Sequence, residues 1–258
     1  MIRYKNIVVT LLLAITTLLN AQQPVTIKVM SMNIKEGGRY ANFDTDAFCE
    51  CIRQYNPDFI AFQEMDYFTS RNGNKDMLTE MGAKLGMFPF FGKAFNYSGG
   101  AFGGAILSKY PFFNAQTLSS KPAGATENRV CVYVDVLLPN KRKVRIATTH
   151  LDVTADDQVR TTSLANFNKL IIADNDPVPT LLIGDFNASP ESDTMKYAKI
   201  KWQDIGAGTG NTISSTNPTA RIDYVMGFPK TWVKKSYDIV AYPNLSDHCF
   251  IVATLEHP

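Results

Sequence analysis

Apolar runs that stop abruptly at polar residues set the rhythm of this chain. Val25 to Asn33 alternates and is rich in β-branched residues early on, which reads as a strand ending in Ser31-Met32-Asn33. A turn follows at Gly37 and Gly38. Asn42 or Asp44 can cap a helix with an apolar face of Ala47, Phe48, Cys51, Ile52 and Tyr55, and Pro57 stops it. The next strand, Asp58 to Glu64, ends in Gln63-Glu64. Met77, Leu78, Met81 and Leu85 give a second helix face, closed by Gly86. From Phe88 to Val136 the pattern predicts short strands and turns, with a strand core at Ala105-Ile106-Leu107-Ser108. The glycines at 99, 100, 103 and 104 lack the G-K-[ST] ending of a phosphate loop and the helix that should follow. They read as close backbone approach where a strand starts.

Val130 to Leu138 and Val144 to Thr149 predict a hairpin across Pro139-Asn140-Lys141, its second strand ending in Thr148-Thr149-His150-Leu151-Asp152. Thr154 can cap the next helix, whose expected buried stripe is Leu164, Phe167, Leu170 and Ile171. Leu181-Leu182-Ile183 is a buried strand that runs into Gly184-Asp185-Phe186-Asn187. Period-2 alternation puts Asp185 and Asn187 on one side and turns Phe186 into packing. A short helix is expected near Glu191 to Tyr197, then strands at Arg221 to Val225 and Tyr237 to Ala241. The last strand opens with Ser246-Asp247-His248 and runs from Cys249 to Leu255. Helices between strands that end in polar residues indicate a layered α/β fold.

The 258 residues suffice for one domain with a sizeable core. A net charge of +2 gives no strong field for polyanions. Residues 1–21 read as a signal peptide: Arg3 and Lys5 precede an uncharged apolar run from Ile7 to Leu19, and Ala21 offers a cleavage point. The run is short for a membrane span. The expected product is an exported chain of residues 22–258, periplasmic or extracellular. Export permits disulfides, but the four cysteines spell no framework. Cys49 and Cys51 sit in one helix and point apart. Cys131 and Cys249, in predicted strands, are open as core thiols or as a pair.

Polar residues therefore collect at strand ends: Asn33, Glu64, His150, Asp185 with Asn187, Asp223, and Asp247 with His248. Any one alone reads as a solvated turn residue or a structural histidine. Together they form a set, because strand ends in layered α/β folds converge on one crevice. That set suits phosphoester hydrolysis. A hard divalent ion such as Mg²⁺, or Mn²⁺, takes carboxylate and amide oxygens. A carboxylate orients water, and a histidine held in one tautomer by a second carboxylate assists at the phosphate. Neither a G-x-S-x-G elbow nor an H-E-x-x-H zinc motif is present.

In order, Met32-Asn33, Phe62-Gln63-Glu64, Ile106 to Pro111, Thr149-His150-Leu151, Gly184-Asp185-Phe186-Asn187, Ile222-Asp223-Tyr224 and Ser246-Asp247-His248 resemble the motifs of the endonuclease/exonuclease/phosphatase superfamily, the deoxyribonuclease-I-like fold. The resemblance implies an α/β four-layer sandwich of two mixed β-sheets flanked by helices. It implies that Glu64 is the main metal ligand with Asn33 close by and that Asp247 adds to the metal environment. Asp185 would orient the attacking water, Asn187 would contact phosphate, Asp223 would hold His248, and Arg129 would face the phosphate. His150 is similar to the deoxyribonuclease, sphingomyelinase, inositol-phosphatase and deadenylase branches, where abasic-site repair enzymes carry a Tyr-Pro-Asn type sequence.

The expected activity is nuclease-like phosphodiester hydrolysis. A lipid or sugar phosphatase or a sphingomyelinase-like diesterase stands beside it, as does a non-catalytic binding protein on the same fold. The expected partner is a phosphate-ester substrate, whether nucleic acid, phospholipid or sugar phosphate. No stable protein partner is indicated, and a monomer is expected. A narrow pocket would need a basic clamp, for which Arg129 and Arg71 are the candidates, and the aromatics from Phe88 to Phe102 could line a groove or fill a core.

Overall fold

The computed structural model describes residues 24–172 and 178–257, so the expected signal peptide lies outside the described residues. Two six-stranded mixed sheets carry the fold. The first is built from β1 (Val25–Asn33), β2 (Phe59–Tyr67), β3 (Phe88–Tyr97), β4 (Gly100–Ser108), β11 (Val233–Val240) and β12 (Phe250–His257), in the order β11-β12-β1-β2-β4-β3. The second is built from β5 (Phe112–Ser120), β6 (Arg129–Leu137), β7 (Lys143–His150), β8 (Thr180–Asp185), β9 (Gln203–Asp204) and β10 (Asp223–Phe228), in the order β5-β6-β7-β8-β10-β9. Each sheet has one parallel pair at its centre, β1 with β2 and β7 with β8.

Strand alternation explains the layers. Ile27, Val29, Phe59 and Ala61 face Val132, Ile146, Leu181 and Ile183 of the opposite sheet in one buried cluster. Residues one position out of step turn outward. Met30, Met32, Ile60 and Phe62 pack under α1 (Thr45–Tyr55) and α2 (Met77–Leu85) through Phe48, Ile52, Met77 and Met81. Leu182, Tyr224 and Met226 pack under α3 (Asp157–Ile171) and α4 (Asp193–Lys201) through Leu164, Phe167 and Met195. Three cores between four layers make the α/β sandwich that the motifs imply.

Local differences from the sequence reading have physical reasons. Leu170 is 58 % exposed, because Ile171 takes the i+7 place after Leu164 on the buried face of α3. Asp156, not Thr154, caps α3 by accepting from Gln158 N–H. The region after Phe88 forms three antiparallel strands of nine or ten residues rather than short ones. Gly103 does mark close backbone approach, since a Cβ there would overlap the Gly92 carbonyl. β10 starts at Asp223 rather than Arg221, β12 starts at Phe250 with Ser246 to Cys249 lying before it, and α4 is displaced toward the C-terminus. Cys49, Cys51, Cys131 and Cys249 are free and buried, which resolves Cys131 and Cys249 as core thiols.

Candidate active site

The end of β8 sets the geometry. Gly184 has φ +144°, and a Cβ there would overlap the Thr149 carbonyl oxygen, so only glycine lets β7 and β8 lie this close. Parallel pairing places His150 opposite Asp185, and antiparallel pairing of β10 places Asp223 opposite Asp185. Asn33, at the end of β1, reaches across from the other sheet, and its Nδ2 donates to Asp185 Oδ2 at 3.1 Å. The segment before β12 delivers His248. Ser246 Oγ donates to Asn33 O at 2.6 Å and accepts from His248 N–H at 3.0 Å, which pins that segment to the end of β1.

Asp185 Oδ2 thus lies 3.5 Å from His150 Nε2 and 3.7 Å from His248 Nε2, while Asp185 Oδ1 accepts from Asn187 N–H at 2.8 Å. Burial pushes the Asp185 carboxyl above the carboxylate range and Asp223 adds to this; the two histidines pull the other way. Burial also works against charge on His248. The Asp223 carboxylate, 3.0 Å from its Nδ1, overrules burial and raises His248 to about 10. His150 goes down to about 3, through burial first, because Asp185 does not outweigh it. The two imidazoles therefore differ in kind, His248 a cation and His150 neutral. His150 Nδ1 and Arg129 Nε are buried polar atoms without a hydrogen-bond partner.

A pocket of about 460 Å³ opens beside this cluster, and Lys35, Glu64, Arg129 and His150 are among its lining residues. Glu64 sits where β2 bulges against β4, with φ +60°, and the bulge aims its side chain at the site. β2 therefore continues through the site to Tyr67 instead of ending at Glu64. Arg129 is 3.4 Å from Glu127 and 3.8 Å from Asp152. Asp152 accepts from Thr126 N–H, Glu127 N–H and Thr154 N–H, and so anchors the loop that leads into Arg129. Burial raises the Asp152 carboxyl, but these bonds and Arg129 hold it below its ordinary value. Arg71 lines the same pocket, as a clamp with Arg129 requires.

Asn187 departs from the alternation argument. The strand stops at Asp185, Asn187 turns left-handed at φ +48°, and its Nδ2 donates to Leu151 O at 2.9 Å. Phe186 packs into the core as expected.

Residues 30–248 match the Endonuclease/Exonuclease/phosphatase family. The chain belongs to this family. Solved structures of the endonuclease/exonuclease/phosphatase fold align along most of its length. A family protein from Bacteroides thetaiotaomicron superposes with a TM-score of 0.74 at 16% identity, covering 92% of this chain and 97% of that one. A mannosyl-6-phosphatase from Bacteroides thetaiotaomicron VPI-5482 gives 0.72 at 16% identity, covering 89% and 99%. D. rerio TDP2 complexed with single strand DNA product gives 0.68 at 15% identity, covering 89% and 98%.

Endonuclease/exonuclease/phosphatase membership makes the fit to a divalent cation a question for these residues. Lys35 Nζ lies 3.9 Å from Glu64 Oε1 and 3.7 Å from Asp247 Oδ2, so two carboxylates converge on a place that holds positive charge. Both are hard oxygen donors, Glu64 in the pocket wall and Asp247 beside Lys35, and they fit a Mg²⁺-type ion. Asn33 Oδ1 accepts from Lys35 N–H at 3.1 Å and faces the same corner. Asp185, Asp223 and His248 also place ligand atoms within 4.8 Å of one another. That second group is buried, and Asp223 already holds the His248 ring, so Glu64 and Asp247 fit the ion better.

Sequence reasoning gave no role to Lys35, Glu36 or Asp152. Lys35 and Glu36 take left-handed φ values of +45° and +47° ahead of Gly37 and Gly38, and only the Gly-Gly pair hinted at such a turn.

Proposed function

We propose that this chain is an exported, divalent-metal-dependent hydrolase of phosphate esters. The observation that carries the reading is the convergence of Asn33, His150, Asp223 and His248 on Asp185 from separate strand ends, beside a pocket that holds Glu64 and Arg129. Glu64 and Asp247, with Asn33 beside them, would hold the ion, which supplies charge neutralisation at the phosphoryl oxygens when bound.

The chain's own groups do the rest. Asp185 orients a water in line with the ester bond and takes its proton as the new P–O bond forms. The His248 cation, fixed by Asp223 through Nδ1, presents Nε2–H toward the phosphoryl group and gives that proton to the leaving oxygen, which departs with the electron pair of the broken P–O bond. His150 donates from Nε2 while staying neutral. Arg129 binds the phosphoryl oxygens. Asn187 keeps a second amide N–H for the phosphate, beyond the one used on Leu151.

Small phosphate esters suit this pocket better than the nuclease-like diester substrate that the sequence favours. Lys35, Arg71 and Arg129 are offset in its wall by Glu36, Glu64 and Glu127, whereas a nucleic-acid track needs continuous positive charge. Diester cleavage of single-stranded DNA is the second reading, favoured by the likeness to TDP2 with its DNA product.

A substrate panel with Mg²⁺, with and without EDTA, tests both. Turnover of small monoesters that EDTA abolishes and Asp185→Asn removes supports the proposal. EDTA-sensitive cleavage of DNA alone selects the second reading. Turnover that persists in EDTA sinks the metal assignment. Export is tested by the N-terminus of the protein recovered outside the cytoplasm, expected at Gln22.

A further inference from the structure

We propose that the aromatic side of the pocket, at Phe95, Tyr97 and Phe102, is a subsite for one uncharged, polyhydroxylated ring, so that the substrate is a phosphorylated monosaccharide. This subsite rests on the reading above for the seat of the phosphate.

Phe95 and Tyr97 near the end of β3 and Phe102 on β4 form a wall of three rings, with centroids 5.2 to 6.4 Å apart. Tyr97 is 41 % exposed, too open for a core residue. Arg71 lies against this wall, its guanidinium 4.5 Å from the Tyr97 centroid and 5.8 Å from that of Phe102. Its Nε and Nη2 donate to the two oxygens of Asp66 at 2.6 and 2.7 Å, and Asp66 is fully buried. Arg71 is thus a fixed plate whose charge is already matched. Its Nη1 edge points toward Glu36, 3.7 Å away.

The acids decide the ligand. Glu36 and Glu127 line the same pocket, with side chains 34 % and 45 % exposed. Carboxylates accept hydrogen bonds and offer none, so they suit a ligand rich in hydroxyl donors. A second phosphate, as in an oligonucleotide, would find no unmatched cation here: Arg71 is paired with Asp66 and faces Glu36, which Arg39 also holds, and Arg129 is paired with Glu127. A diacyl lipid would find three rings flanked by charge. A pyranose gives its C–H face to Tyr97 and Phe102 and its hydroxyls to Glu36, Glu127 and Arg71 Nη1. Its phosphate then reaches Lys35, Arg129 and His150, which line the same pocket.

The test uses the full chain with Mg²⁺ in the Asp185→Asn background, so that binding is read without turnover. Titration calorimetry compares glucose 6-phosphate, adenosine 5′-monophosphate, a pentanucleotide, glycerol phosphate and inorganic phosphate. Glucose 6-phosphate should bind at least tenfold more tightly than glycerol phosphate. Adding Tyr97→Ala should cost that preference about tenfold and leave inorganic phosphate unchanged. Glu127→Gln should weaken the sugar phosphate and strengthen the pentanucleotide. Equal affinity for glucose 6-phosphate and glycerol phosphate overturns the subsite, and so does preference for either nucleotide. Sugar-phosphate binding intact in this background, with no turnover of any ester by the unsubstituted chain, leaves the subsite standing and sinks the catalytic reading instead.

Discussion

His248 Nδ1 and Asp223 Oδ2 stand 3.0 Å apart, both nearly excluded from solvent, and this contact fixes which nitrogen of the ring faces Asp185. The pair joins the two sheets at the site, since Asp223 opens β10 and His248 precedes β12.

Asp185→Asn separates chemistry from stability. The carboxyl is buried and held above its ordinary range, so an amide of the same shape fits without an unfavourable charge. We expect kcat to fall by about 10³, in line with loss of a positioned acid–base group. The melting temperature should hold or rise. A drop of several degrees together with lost activity would mean that the carboxylate is structural.

The two histidines predict opposite arms of a pH–stability profile. His150 is depressed to about 3 from its ordinary 6.5, so the unfolded chain binds the extra proton between those values. Its contribution is present above pH 6.5 and is lost as pH falls toward 3. His248 is raised to about 10, so its contribution is complete below pH 6.5 and is lost as pH rises toward 10. Urea unfolding in EDTA should show His150→Gln flattening the acid arm and His248→Gln flattening the alkaline arm, each by up to about 1.4 kcal/mol per pH unit. Unchanged arms in both variants would refute these protonation states.

Glu64 and Asp247 should control ion affinity. Glu64→Gln is expected to weaken Mn²⁺ binding by more than about tenfold, and Asp247→Asn by less, because Asp247 is the more exposed of the two. Calorimetry reads this directly. Wild-type affinity in Glu64→Gln would move the ion to Asp185, Asp223 and His248.

Gly37→Ala should damage the site from behind. Gly37 has φ +73°, and a Cβ there would overlap the Asp66 carboxyl group that holds Arg71. A loss of about 2 kcal/mol is expected from denaturant midpoints, with weaker sugar-phosphate binding. Gly73→Ala is the control, since it shares the positive φ but meets nothing within 4 Å.

The thiols should be silent. Cys51 and Cys131 are pushed up to about 12, by burial in each case. The native protein should react with a thiol reagent only as it unfolds, and reductant should leave its melting temperature unchanged. A lower melting temperature in reductant would reveal a disulfide.

Much of the site was legible because strands are. Alternation and chain breaks located Asn33, His150, Asp185, Asp223 and His248, and pairing brings these strand ends together. Alternation lasts only as long as the strand, so it does not reach Asn187, which lies past the strand end in a left-handed conformation. It also gave no warning that Glu64 owes its direction to a bulge. Lys35 and Glu36 depend on left-handed backbone, which leaves no periodic trace; Arg71 was legible as a candidate clamp, but not the buried ion pair with Asp66 that fixes it. Leu170 failed for a simpler reason: a helix face is narrow, and one residue of phase separates it from Ile171.

The register of β8 has a further use. His150 and Asp223 stand across from Asp185 only when β8 is paired correctly on both of its edges, one parallel and one antiparallel. A slip of one residue on either edge turns a needed side chain to the wrong face. Were hydrolysis regained during refolding, it would report that both edges of β8 had paired in register at the centre of the second sheet.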